Sequence, residues 1–182
     1  YKTETKSNEI KAIPALLDMM EISGCLITVD AIGCHKAIVD KILMKEADYL
    51  IGLKSNQKSL SLAAFAAFDE TIGDLHTDTQ TDQNHGRKEI RNCRVLPSVA
   101  LPEWGKAADW NGLKTLVEIR SERYVMATGI LEKETRYYIS SLIGDAVAFN
   151  RIVRSHWNIE NQLHWSLDVQ FGEDDSRKRV RN

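Results

Sequence analysis

The chain has 182 residues, 43% hydrophobic and 27% charged, a composition typical of a soluble globular domain. Its 24 lysines and arginines against 26 aspartates and glutamates give a net charge of -2, which argues against non-specific adhesion to DNA as its main activity but allows a local basic patch. Three cysteines exclude a disulfide framework, and no run approaches the ~20 apolar residues of a membrane span, so we expect a cytoplasmic protein with no membrane partner.

The first part of the chain alternates helical and strand patterns. Apolar residues recur at helical spacing in 10–20, and short apolar runs at 25–29 and 48–53 predict strands buried on both faces. Residues 35–46 and 58–68 predict two further helices. The order helix, strand, helix, strand, helix predicts a parallel α/β sheet.

The later part of the chain has a pattern typical of antiparallel strands. Residues 72–84 are polar and rich in Thr, Asp and Gln, and no strand is assigned to them. Strands are predicted at 87–95, 113–119, 123–130 and 136–142. One long helix is predicted over 145–168.

Asp30 directly follows the first predicted strand. In open α/β sheets the carboxyl ends of the strands are where ligand crevices form, which favours a functional carboxylate. An aspartate after a strand also often caps the next helix, and position alone leaves both interpretations open.

Glu160 lies in the long predicted helix, with His156 four residues before it and His164 four residues after, so that all three share one face. A solvated polar face is one alternative, disfavoured because it would leave bulky tryptophan and histidine rings in water. A helical zinc or iron site is another, which would need ligands on a further segment.

Carboxylates on separate elements suit hard cations such as Mg²⁺ or Mn²⁺. Two such ions, about 3.5–4 Å apart, can activate the attacking oxygen and stabilise the leaving oxygen in phosphoryl transfer. Asp30 and Glu160 could form part of such a site, which a third carboxylate on an earlier strand usually completes.

Five segments carry specific combinations of Trp, His, Asn and acidic residues. They read KSNEIKAIPALL at 6–17, ITVDAIGCHK at 27–36, DYLIGLKSNQ at 48–57, NHGRKEIR at 84–91 and RSHWNIENQLHWSLDVQFGED at 154–174. In this order they resemble segments of bacterial insertion-sequence transposases, the DDE group that includes the H-repeat-associated proteins.

The resemblance implies an α/β fold with a ribonuclease-H-like core, truncated at its N-terminus, in residues 1–70. An antiparallel β-rich insertion would occupy 71–143, and the last catalytic helix with a basic tail would occupy 144–182. Asp30 then corresponds to the second catalytic aspartate and Glu160 to the catalytic glutamate. The first aspartate is expected before the start of this sequence, so the fragment alone is expected to be inactive.

Further residues are candidates for DNA contact or for support of the metal ligands. They are Lys54, Asn56, His85, Arg87, Arg91, Arg154, His156, Asn161 and His164. A polar turn is the alternative for Lys54 and Asn56, and pairing across a β-ribbon is the alternative for Arg87 and Arg91.

The last predicted helix differs from that of related transposases, which often carry Tyr, Arg and Lys around the catalytic glutamate. This chain has Val153, His156 and Leu167 at those positions. His156 could replace the arginine as a phosphate contact, and helical geometry makes Arg154 and His164 nearby substitutes.

The implied activity is that of an endonuclease with two Mg²⁺ (or Mn²⁺) ions. Water would first attack a phosphodiester at the end of the element, and the freed 3′-hydroxyl would then attack target DNA. The expected partners are transposon ends, target DNA and a second copy of the protein, because two ends must be brought together. The alternatives are a catalytically inactive transposase-derived remnant that binds DNA or a partner, and a zinc enzyme using His156, Glu160 and His164.

Overall fold

One mixed β-sheet is the centre of the fold in the computed structural model, which describes residues 9–71, 76–84 and 86–158. Within these residues six strands lie in the order β1-β2-β6-β5-β4-β3. The strands are β1 (Leu26–Val29), β2 (Asp48–Leu53), β3 (Thr77–Asn84), β4 (Arg87–Pro97), β5 (Thr115–Val125) and β6 (Ile130–Ser140). The α-helices in the same ranges are α1 (Glu9–Met19), α2 (Lys36–Met44), α3 (Lys58–Glu70) and α4 (Ala146–Asn158).

The predicted parallel pair is confirmed, since β1 and β2 run parallel with Leu26 opposite Asp48 and Val29 opposite Ile51. Strand β2 then pairs antiparallel with β6, and β5, β4 and β3 follow as antiparallel neighbours. The predicted antiparallel section therefore extends the sheet that begins with the parallel pair. The ribonuclease-H-like assignment and the division into core, insertion and catalytic helix stay predictions.

Apolar side chains cover both faces of the sheet. One core lies between the sheet and helices α2 and α3, and its least exposed members include Ile38, Ile51, Phe68, Leu116 and Ile139. A second core lies under α4 and includes Leu50, Cys93, Val117, Phe149 and Val153. Burial of one large apolar side chain contributes about 1.5–3 kcal/mol, so the apolar stripe of α4 holds this helix on the sheet.

The start of the helix predicted over 145–168 is confirmed by α4. Asp145 caps it, because its Oδ1 accepts a hydrogen bond from the backbone N–H of Ala148 at 2.8 Å. The part of that prediction beyond residue 158 lies outside the described residues. No helix in the described ranges is long and apolar enough to cross a membrane.

One strand has no counterpart among the individually predicted strands, and one strand prediction is wrong. Thr77–Asn84, in the polar segment 72–84, form β3, which pairs antiparallel with β4 along its whole length at the edge of the sheet. A strand of an antiparallel sheet can carry polar side chains because one face of such a sheet can be solvated, and the side chains of 77–83 alternate between exposed and half-buried. The strand predicted at 123–130 is divided between β5 and β6 by a turn that contains Gly129 at φ 67°, a backbone angle that favours glycine.

The three cysteines of the sequence differ in exposure, since Cys25 is exposed whereas Cys34 and Cys93 are buried. Burial raises the pKa of Cys34 and of Cys93 to about 12. Because the thiolate is the nucleophile, we expect iodoacetamide at mildly alkaline pH to modify Cys25 alone in the folded protein and all three cysteines in denaturant. Intact mass measures this, with Cys25→Ser as the unmodified control, and equally fast labelling of Cys34 or Cys93 would contradict it.

Candidate metal and nucleic-acid site

Asp30 lies directly after β1, where this strand of the parallel pair ends. Its Oδ1 accepts a hydrogen bond from the backbone N–H of Ile32 at 3.1 Å and thereby caps the 3₁₀ turn Ala31–Gly33. Within the described residues, no hydrogen bond or ion pair engages Oδ2. The cap and a functional carboxylate are therefore compatible interpretations, because the cap uses one of the two oxygens.

Strand β2 and the turn after it pack against the turn that begins at Asp30. Asn56 donates a hydrogen bond from Nδ2 to the carbonyl oxygen of Ala31 at 2.7 Å. A Cβ at Gly52 would lie 3.2 Å from the nitrogen of Ala31, so glycine lets the two segments approach closely. Asn56 thus has a structural contact, and the DNA contact predicted for it and for the exposed Lys54 stays a prediction.

Helix α4 is joined to β1 by a hydrogen bond of 3.0 Å between Nδ1 of His156 and Oγ1 of Thr28. Thr28 precedes Asp30 by two residues, so strand alternation places both on the α4 side of the sheet. A cleft of about 340 Å³ lies between strand and helix, lined by Leu26, Thr28, Arg151, Ile152, Ser155 and His156. His156, a predicted phosphate contact, uses one ring nitrogen to dock α4.

Arg91 and Arg154, two predicted DNA contacts, lie close together between α4 and the strands β3 and β4. Nη2 of Arg91 is 2.9 Å from Oδ2 of Asp82, and Nη2 of Arg154 is 3.5 Å from the same oxygen. The structure thus has the cross-strand pairing that was one interpretation of Arg91. Arg87, by contrast, is exposed at the start of β4 and forms no ion pair within the described residues.

The remaining predicted site residues lie outside the described residues. They are His85, Glu160, Asn161 and His164. In the described part of the chain, no group of three or more His, Cys, Asp and Glu side chains is arranged to hold a metal ion. The metal pair of Asp30 with Glu160 and the zinc alternative therefore both stay predictions.

Sequence reasoning missed Arg123, Arg136 and Trp157, which line the same cleft as Arg91 and Arg154. Strand alternation alone predicts only which face of its strand an arginine occupies. The register that aligns β4, β5 and β6, and the docking of α4 on them, bring these side chains together.

Comparison with known proteins identifies the family. The family described as "Transposase DDE domain" matches residues 2–182. Relatives from Escherichia coli K12 include "H repeat-associated putative transposase YhhI", 40% identical, and "Putative protein YbfL", 41% identical, each aligned over 100% of this chain and 49% of the relative. "Putative transposase YncI" of Escherichia coli O157:H7 is 42% identical over 100% of this chain and 47% of its own length.

The chain belongs to the transposase DDE-domain family, and the predicted resemblance to H-repeat-associated proteins is confirmed. The mixed α/β architecture with its six-stranded sheet in the described residues fits such a domain. The chain spans about half the length of the curated relatives it matches.

Proposed function

We propose that the protein containing this chain cuts and joins DNA with bound divalent metal ions, with Asp30 and Glu160 as two of the metal-binding carboxylates. One observation carries the proposal: Asp30 ends β1 with one oxygen unengaged by the described residues, while α4 is joined to that same strand. In the sequence, Glu160 stands two residues after Asn158, the last residue of α4, and four residues after His156.

The end of β1 supplies one of the carboxylate ligands that a hard cation would need. Asp30 supplies a carboxylate oxygen, the ligand type that Mg²⁺ and Mn²⁺ prefer. Glu160 is the proposed second ligand, and an aspartate elsewhere in the full-length protein is the proposed third, because this chain spans about half of its relatives. Two cations, when bound, would activate the attacking oxygen and stabilise the leaving oxygen of a phosphodiester.

The protein's own groups would bind and orient the DNA around these carboxylates. Lys54 is exposed after β2, on the turn next to the one that Asp30 begins, where an ammonium can contact a backbone phosphate. The proposed substrates are the ends of an insertion element and a target DNA. A homodimer would bring the two ends together, and the freed 3′-hydroxyl would be the second nucleophile.

Calorimetric titration with Mn²⁺ of a protein of the relatives' full length tests this proposal. We expect Asp30→Ala and Glu160→Ala each to weaken Mn²⁺ binding by at least about tenfold, because even residues behind the ligands change metal affinity by ~10–100-fold. Asp40→Ala, which removes an exposed carboxylate from α2, is the matched control and should bind as the wild type does. Binding that is absent, or indifferent to both substitutions, would favour a catalytically inactive, transposase-derived DNA-binding protein.

A further inference from the structure

A cleft of about 210 Å³ lies between α4 and the sheet face formed by β4, β5 and β6. Four guanidinium groups line it, and we call it the arginine pocket: Arg91, Arg123, Arg136 and Arg154. Asp30 does not line this cleft, so its charges require a separate explanation.

Arg91 is the buried member of the arginine pocket, with a side chain that is 7% exposed. One of its nitrogens, Nη2, lies 2.9 Å from Oδ2 of Asp82. Nε and Nη1 are buried and have no hydrogen-bond acceptor within the described residues. Buried donors of a charged group are strongly destabilising without an acceptor, so the pocket lacks an oxygen that would complete it.

Glu89 does not supply that oxygen. Its carboxylate lies 3.6 Å from Nη1 of Arg91, 3.6 Å from Arg154 and 3.9 Å from Arg123, and all three distances exceed those of a good hydrogen bond. Two carboxylates line the cleft, Glu89 and Glu134, against its four guanidinium groups. The lining of the pocket therefore has more positive than negative charge, although Asp82 and Glu132 pair with its arginines from beside it.

Arg136 and Arg123, the other two β-strand arginines of the pocket, each have a carboxylate neighbour on β6. Nε of Arg136 donates to Glu134 at 2.7 Å, and its guanidinium lies 3.8 Å from the ring centroid of Trp157. Arg123 also approaches Glu132 at 3.6 Å, but that carboxylate is 57% exposed and the pair is screened by water. Arg136 is thus held in place, while Arg123 keeps the freedom to bind another anion.

A tetrahedral oxyanion meets these requirements, because arginine forks bind phosphate oxygens in bidentate, charge-assisted hydrogen bonds. A cation would be repelled by the surplus guanidinium charge, and an apolar ligand would leave the Arg91 donors unpaired. We infer that the arginine pocket binds one phosphate group of the DNA backbone. The choice of DNA as the source rests on the proposed function, whereas the phosphate chemistry rests on the pocket alone.

Titration with inorganic phosphate, at constant ionic strength and without divalent metal, tests the pocket itself. We expect phosphate to raise the unfolding temperature, and Arg123→Gln and Arg154→Gln each to weaken phosphate binding by about tenfold. These side chains are 44% and 35% exposed, so their replacement should leave the fold intact. Lys133→Gln is the control, because alternation along β6 places Lys133 on the face opposite the pocket-lining Glu134 and Arg136.

An absence of phosphate stabilisation in the wild type, or an equal loss in the Lys133→Gln control, would overturn the phosphate site. Salt-dependent binding of duplex DNA then identifies the source of the phosphate. Each lost contact lowers the slope of log affinity against log salt by about one, so we expect this change in Arg154→Gln and not in Lys133→Gln. Phosphate binding with an unchanged DNA slope would mean that the pocket takes a free phosphate compound, which overturns the assignment to DNA.

The two proposals can fail separately. Neither titration contains a divalent metal, so loss of the proposed metal chemistry would leave both results unchanged. Conversely, an empty arginine pocket would leave Mn²⁺ binding at Asp30 intact.

Discussion

Asp30→Asn is expected to reduce cleavage of element ends by at least about 100-fold in a protein of the relatives' full length. Bound metal ions contribute several kcal/mol of transition-state stabilisation, and each ~1.4 kcal/mol corresponds to a tenfold change in rate. Asparagine is as good a cap as aspartate, so its oxygen can keep the hydrogen bond from Ile32. The substitution therefore removes the charge without removing the cap.

Asp40→Asn is the matched control for this measurement, because it removes one exposed carboxylate from α2. We expect the control to cleave at the wild-type rate and both variants to unfold at the wild-type temperature. If Asp30→Asn cleaves within a few-fold of the wild-type rate, Asp30 is not a metal ligand. The hydrogen bond to Ile32 would then be its main role.

Arg94→Met is expected to lower the free energy of unfolding by about 3–5 kcal/mol, the usual effect of removing one partner of a buried ion pair. The Glu118 side chain is fully buried in β5, and Arg94 binds both of its oxygens, at 2.7 and 2.8 Å. The hydrogen bond to Glu118 raises the pKa of Arg94, so the guanidinium group stays charged. For a chain of this length the loss corresponds to a decrease in unfolding temperature of roughly 6–20 °C.

Arg120→Met is the control, since Arg120 reaches the same carboxylate at 2.8 Å from a position that is 53% exposed. An exposed partner contributes ~0–1 kcal/mol, so this variant should unfold close to the wild-type temperature. The double variant Arg94→Met with Glu118→Leu should recover most of the stability, because it leaves no unpaired charge in the interior. Equal losses of unfolding free energy in Arg94→Met and Arg120→Met would show that the buried pair contributes no more to stability than the exposed one.

The parallel pair could be predicted because its two strands are short, apolar runs separated by a helical pattern, and such runs are stable only when both faces are covered. Strand β3 could not be assigned from the sequence, because its Thr, Asp and Gln residues are also typical of a polar connection between elements. Its pairing with β4 depends on backbone hydrogen bonds, which any sequence without proline can form. The turn at Gly129 was also hidden, because apolar residues lie on both sides of it.

The position of Asp30 at a strand end was predictable from the residues before it. The contacts that hold it were not, because Gly52 and Asn56 act through the close approach of the turns after β1 and β2. The arginine pocket was equally hidden, since Arg91 and Arg123 come from strands whose register no local pattern specifies. The role of Glu160 was predicted from resemblance and helical spacing, and it stays a prediction.

If the proposed function holds, helix α4 determines how two proposed DNA contacts are spaced. His156 contacts Thr28 on β1, at one border of the sheet, whereas Arg154, two residues earlier, faces Asp82 on β3 at the other border. Positions two apart lie on nearly opposite sides of a helix, so one rigid segment fixes the separation between Asp30 and the arginine pocket. A DNA phosphate bound in that pocket would therefore lie a constant number of nucleotides from the phosphodiester bond of the same DNA strand that is placed at Asp30.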